Sequence, residues 1–133
     1  MTSTLTSGTL AVAAGGAIGA SLRHLVGLWT LRQFGPGLPV GTLGVNVVGS
    51  FLIGVLAAWL LARGAGQSSG MGFALFLGTG VLGGFTTFSA FSLDAVRLLE
   101  AKGMGAFAAY IGASVGLSLI ALVLGLALAK ALL

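Results

Sequence analysis

"GGFTTFSAFS", Gly83 to Ser92, lies inside a run from Gly64 to Leu93 that contains no charged side chain. Its ten residues hold two Thr, two Ser, three Phe and two adjacent Gly. A plain membrane anchor would place Leu, Ile and Val there, so the hydroxyls and glycines need another reason. Two glycines followed by β-branched residues are poor helix formers. Irregular backbone at membrane depth survives only when it is buried in protein or lines a cavity. The stretch therefore predicts a break in a membrane helix. Carbonyls freed by such a break are hard oxygen ligands suited to a small cation.

The rest of the chain agrees with a membrane setting. It has 133 residues, 57% of them apolar and only 6% charged, with a mean hydropathy of +1.14. A soluble domain of this size needs more charge to cover its surface, so the class is integral membrane protein. There is no Cys, hence no disulfide framework and no thiol chemistry. The net charge of +4 is spread over Arg23, Arg32, Arg63, Arg97, Lys102 and Lys130. Single cations beside apolar segments act as headgroup anchors, which argues against nucleic-acid binding despite the basic balance. The first twenty residues lack the basic n-region of a secretory signal, and their apolar run outlasts an h-region. They read as a first transmembrane helix.

A bilayer core of about 30 Å takes about 20 helical residues to cross. Four segments are long enough: Leu5–Leu28, Gly41–Leu61, Met71–Leu99 with its break near 83–87, and Met104–Ala129. The expected fold is all-α, a single transmembrane domain over residues 1–133. The connections are "RQFGPGLPV" (Arg32–Val40), "RGAGQSSG" (Arg63–Gly70) and "EAKG" (Glu100–Gly103). Pro39 suits a helix start and Gly64 a helix stop. The apolar runs do not alternate, which disfavours a β-barrel. With four spans, Arg63 and Lys130 fall on one side and Arg32, Arg97 and Lys102 on the other, with Arg23 if it lies near its helix end. Such a small bias barely specifies orientation, which admits either a weakly oriented protein or insertion both ways. The pairs Gly15–Gly19, Gly80–Gly84 and Gly112–Gly116 are each four residues apart and suit close helix packing.

Glycine packing does not explain the hydroxyls. Thr42, Asn46 and Ser50 share one helix face, as do Tyr110, Ser114 and Ser118. Thr86, Thr87, Ser89 and Ser92 crowd among Phe85, Phe88 and Phe91. A lone Ser or Thr in a helix usually bonds back to its own backbone. The amide of Asn46 carries two donors and cannot be satisfied that way. Two polar stripes and a cluster favour a donor-lined path or a specific helix contact. Amide and hydroxyl donors solvate anions, and Phe88 and Phe91 could add the positive edges of their rings. The only intramembrane acid is Asp94, near the end of the third segment, and no potassium-filter sequence is present. An anion is the better-matched cargo than a cation. A small four-helix drug or cation exporter is the alternative, and it would need a mid-membrane carboxylate. A regulatory subunit of a larger complex is a further possibility. An enzyme is not expected, since His24 is the only His and no nucleophile–base pair is evident.

"GGFTTFSAFSLD" resembles the signature of the Fluc (CrcB) family of small fluoride channels. So do "GGAIGASLRH" (Gly15–His24), "GTLGVNVVGSFLIG" (Gly41–Gly54) and the spacing of Tyr110, Ser114 and Ser118. The resemblance covers all four helices in order. It implies an antiparallel, dual-topology homodimer with two fluoride pores, in the inner (plasma) membrane in both orientations. It implies passive export that relieves fluoride toxicity. Asn46, Phe88, Phe91, Tyr110, Ser114 and Ser118 match pore positions, and Thr87 and Asp94 match the polar track. Arg23 matches a vestibule arginine. Gly83 and Thr86 match the positions whose carbonyls hold a structural Na⁺ at the dimer interface. Asp94 stands where a glutamate is more usual, and Ala90 where a Thr is common.

Overall fold

The computed structural model describes residues 2–63 and 68–133. These residues form helices α1 (Thr2–Phe34), α2 (Val40–Ala62), α3 (Ser68–Ala74), α4 (Gly83–Phe85), α5 (Phe88–Lys102) and α6 (Met104–Leu132), with a π-helical segment, Leu75–Leu82, between α3 and α4. From α3 to α5 the chain is one interrupted rod, so four helical units are long and apolar enough to cross a membrane. Their outer surfaces suit that solvent: Leu119, Ile120, Val123 and Leu124 of α6 are all more than half exposed. In water such a surface would aggregate.

The ends follow from local chemistry, and all three connections are tighter than the sequence suggested. α1 continues past Leu28 to Phe34 and stops where Gly35 takes a positive φ of 71°, its N–H bonding to Leu31 O at 2.9 Å. Pro36 follows and cannot continue the helix. α2 begins behind Pro39, as expected. "EAKG" is hardly a loop. α5 runs to Lys102, and Gly103 alone turns the chain into α6, at a φ of 83° that favours glycine. Ser68 already opens α3, so the Gly/Ser connection is shorter than Arg63–Gly70. The proposed stop at Gly64 lies outside the described residues.

The break is also narrower than 83–87. Gly83 keeps helical backbone (φ −64°, ψ −36°), and only Thr86 (φ −80°, ψ 160°) and Thr87 (φ −156°, ψ 119°) are extended. The π segment just before it was not legible from composition. There the Gly83 N–H reaches back five residues to Gly78 O.

Close packing around glycine aligns these parts. A Cβ on Gly15 would collide with the Phe76 carbonyl, and one on Gly19 with the Val81 carbonyl. Gly80 and Gly84 meet α1 in return, at Gly15 and Gly16. α2 and α6 approach through a pair that the four-residue spacing did not reveal. Gly54 sits against the backbone of Leu122 and Leu126, and Gly125 against that of Phe51. Gly112 and Gly116 face open space within the chain, so their spacing serves no packing there.

Gly19→Val should therefore destabilise the fold by about 2–3 kcal/mol, the upper part of the range for overpacking. Gly16→Ala, on the same helix with nothing within 4 Å of its added methyl, should leave stability nearly unchanged. Thermal unfolding of both variants in detergent checks the difference.

Candidate functional site

Interrupting a helix leaves backbone groups without partners, and in a membrane each must find one. Asn46 of α2 supplies them at this break. Its Nδ2 donates to Thr87 O at 3.0 Å, and its Oδ1 accepts from Thr87 N–H at 2.8 Å. The side-chain amide thus replaces a missing peptide pair across two helices, leaving one amide N–H uninvolved. Thr87 then serves as the N-cap of α5, its Oγ1 accepting from Ala90 N–H at 3.2 Å. That hydroxyl also lies 3.2 Å from Ser89 Oγ.

These bonds divert two donors. In a continuous helix Thr87 N–H would bond to the Gly83 carbonyl and Ala90 N–H to the Thr86 carbonyl. Here they go to Asn46 Oδ1 and Thr87 Oγ1. Gly83 and Thr86 therefore lose their regular donors, and they are the two residues singled out as carbonyl ligands. Among the described residues no group of three or more His, Cys, Asp and Glu could hold a metal. Backbone oxygen is the donor set at the break, and it fits a hard monovalent cation.

Other hydroxyls separate into three groups. Thr86 and Ser92 bond back to Leu82 O and Phe88 O, at 3.0 and 2.9 Å. They are locally satisfied, as lone helical hydroxyls commonly are. Thr42 instead donates across to Asp94 Oδ2 at 2.6 Å. Tyr110 Oη and Ser114 Oγ are buried and make no hydrogen bond of good geometry to a described residue, although Ser114 and Thr42 lie beside the Tyr110 hydroxyl.

A groove of about 280 Å³ brings the candidates together. Its lining includes Asn46, Ser50, Thr87, Phe88, Ser114 and Ser118, with Phe91 and Thr86 beside them. Ile53, Val115 and Leu122 supply apolar walls that the polar pattern could not indicate. Phe88 is 77% exposed and stands at the open side, whereas Phe91 is 8% exposed and joins the core with Ala95, Leu98 and Tyr110. The three aromatic rings form a ladder, with centroids 5.4 Å apart from Phe88 to Phe91 and 5.5 Å from Phe91 to Tyr110. Tyr110, the innermost ring of this ladder, does not line the groove.

Beyond Thr42 a second recess of about 420 Å³ opens between the α1–α2 turn and α5. Asp94 lies there with Arg97 and Lys102. Because α5 extends to Lys102, Asp94 is eight residues from the helix end, roughly 12 Å along the axis. That is further inside the helix than an end at Leu99 implies. Arg23 lines neither recess.

These features define a class: a four-span membrane protein with an interrupted third helix, whose break adjoins a groove of phenyl rings and hydroxyls. The family described as CrcB-like protein, Camphor Resistance (CrcB), matches residues 10–126. The chain is 58% identical over 123 residues to a protein of Rhizobium meliloti (strain 1021) named fluoride-specific ion channel FluC, covering 92% of this chain and 96% of that one. Proteins of the same name from Cereibacter sphaeroides (strain ATCC 17029 / ATH 2.4.9) and Caulobacter vibrioides (strain NA1000 / CB15N) are 57% and 50% identical over 121 residues each. Both alignments cover 91% of this chain, with 93% of the first relative and 94% of the second. The chain belongs to the CrcB family.

Replacing Asn46 by Ala leaves both polar groups of Thr87 without this partner. At about 1–3 kcal/mol for each unsatisfied group, the expected loss is about 2 kcal/mol or more. Ser50→Ala, one turn further along the same helix, should cost much less. Unfolding midpoints of the two variants check this.

Proposed function

We propose that this protein is a fluoride-selective channel working as an antiparallel homodimer. The observation that carries the reading is the groove in which Asn46, Phe88, Phe91, Ser114 and Ser118 converge, in a chain whose relatives bear the name of fluoride channels. Fluoride is small and strongly hydrated, so a path must offer donors in place of its water. The uninvolved N–H of Asn46 and the hydroxyls of Ser114 and Ser118 are such donors. Phe88 and Phe91 add ring edges, the positive part of the aromatic quadrupole. Tyr110 Oη and Ser114 Oγ, buried without partners, continue the donor series toward Thr42 and Asp94. On this reading a narrow path whose donors match fluoride would exclude a larger anion such as chloride.

The exposed ring of Phe88 leaves the groove open on one side. A second copy in the opposite orientation would close it and generate two equivalent pores by symmetry. The nearly balanced charges on the two sides are compatible with both orientations in one plasma membrane. At the centre of that dimer the Gly83 and Thr86 carbonyls of each copy would hold a Na⁺. Its role is structural: it offsets the partial negative charge of carbonyls gathered in a medium of low dielectric. Transport is passive, and its physiological direction is export of fluoride formed when HF enters and dissociates.

Three measurements test the reading. Purified protein in liposomes should release fluoride but not chloride, monitored with ion-selective electrodes. Phe88→Ile should abolish fluoride release while leaving the unfolding midpoint close to that of the parent, because the ring contributes little to the core. Wild-type flux from the double variant with Phe91→Ile would sink the pore assignment. For topology, a C-terminal tag should be accessible from both sides of the membrane, and one-sided labelling of every molecule would refute dual insertion.

A further inference from the structure

The recess beside Thr42 has an electrostatic character distinct from that of the groove. Its ionised side chains are Asp94, Arg97 and Lys102, so it carries one positive charge in excess. The three groups are not equivalent. Lys102 Nζ donates to Gly37 O at 2.6 Å and is tied to the α1–α2 turn. Asp94 uses Oδ2 to accept from Thr42 and turns Oδ1 toward Arg97. Arg97 Nη1 lies 4.0 Å from that oxygen, at the limit of an ion pair, and its side chain is 67% exposed. Its guanidinium is the cation of the recess least committed to a protein partner.

The recess also leads toward the path. Thr42 is on its lining and sits one helical turn before Asn46, which lines the groove. An anion approaching Thr42 must pass the Asp94 carboxylate, whose charge opposes entry unless a cation offsets it. We infer that Arg97 is the anion-capturing residue of this mouth, offsetting Asp94 and concentrating fluoride in front of Thr42. The inference rests on the channel reading above and assigns a steering role to a residue outside the groove. Steering by one exposed charge acts over a Debye length, roughly 30 Å at 0.01 M salt and about 3 Å at 1 M. Its signature is therefore a rate that depends on ionic strength.

The experiment measures initial fluoride efflux from liposomes at low fluoride, with a non-permeant salt on both sides at either low or high concentration. Arg97→Gln should slow efflux about threefold or more at ~0.01 M salt and approach the parent rate at ~1 M. Arg97→Lys, which keeps the charge, should retain most of the parent's salt dependence. As the chain has no Cys, Arg97→Cys offers a second route that starts from folded protein. A cationic methanethiosulfonate adduct should restore efflux at low salt, and an anionic adduct should reduce it further. Equal slowing at both salt concentrations, no slowing at all, or indifference to the sign of the adduct overturns the inference. So does a salt-dependent loss in Arg23→Gln with none in Arg97→Gln. If the parent protein itself passes no fluoride, the channel reading fails, and that result is distinct from a conducting parent with an indifferent Arg97.

Discussion

The two-bond pair between Asn46 and the backbone of Thr87 is the interaction on which the rest of the site depends. A membrane offers no water to a broken helix, so a break persists only if protein supplies the missing partners. A hydroxyl would have to serve both groups from a single oxygen. The amide satisfies both with one rigid plane, presenting a donor and an acceptor side by side as a neighbouring peptide would. Once Thr87 is held this way, its side chain is placed to cap α5 and its extended backbone redirects the chain. Phe88 and Phe91 follow within that first turn. The orientation of the phenyl ladder and the diversion of donors from two carbonyls thus share one cause.

Such a pair needs α2 and the interrupted helix at a fixed separation, and glycine makes that separation small. Gly49 packs against the methyl group of Thr86, where a Cβ would not fit. Gly54 and Gly125 bring α2 and α6 into backbone contact, and Gly15 and Gly19 do the same for α1 and the π segment. Between transmembrane helices the hydrophobic effect adds little, so close van der Waals approach through small residues carries the association. The candidate site and the helix packing are therefore not separable near the break. The glycines that hold the rod against its neighbours also set the position of Thr86 and Thr87.

The polar residues are distributed unequally between these tasks. Thr86 and Ser92 are consumed by their own helix, Thr87 and half of Asn46 by the break, and Thr42 by Asp94. What remains toward the groove is the second N–H of Asn46 and the hydroxyls of Ser50, Ser114 and Ser118. Ser114 and Tyr110, buried without hydrogen-bond partners among the described residues, are the clearest unspent capacity in the chain. Asp94 is likewise less isolated than its place in a membrane-length span suggests, with Thr42 on one oxygen and Arg97 near the other. That arrangement accounts for an acid in a site otherwise built of donors.

Much of this was legible in the residues alone. Continuous apolar runs determined four membrane-length helices, because a bilayer core admits no other reading of such runs. "GGFTTF" marked the interrupted helix, and the four-residue spacings of Thr42–Asn46–Ser50 and Tyr110–Ser114–Ser118 marked two polar faces, from which Asn46, Ser50, Ser114 and Ser118 line the groove. Tertiary structure alone decided that the break falls on Thr86 and Thr87 and leaves Gly83 helical, that a π segment precedes it, and that Thr42 meets Asp94. It also decided that Gly54 and Gly125, rather than Gly112 and Gly116, carry the contact of α6 with α2. The physical reason is common to all of these. Spacing along a chain tells which side chains share one helix face. Which donor a carbonyl keeps, and which glycine a neighbour fills, depends on what an adjacent helix brings to that face.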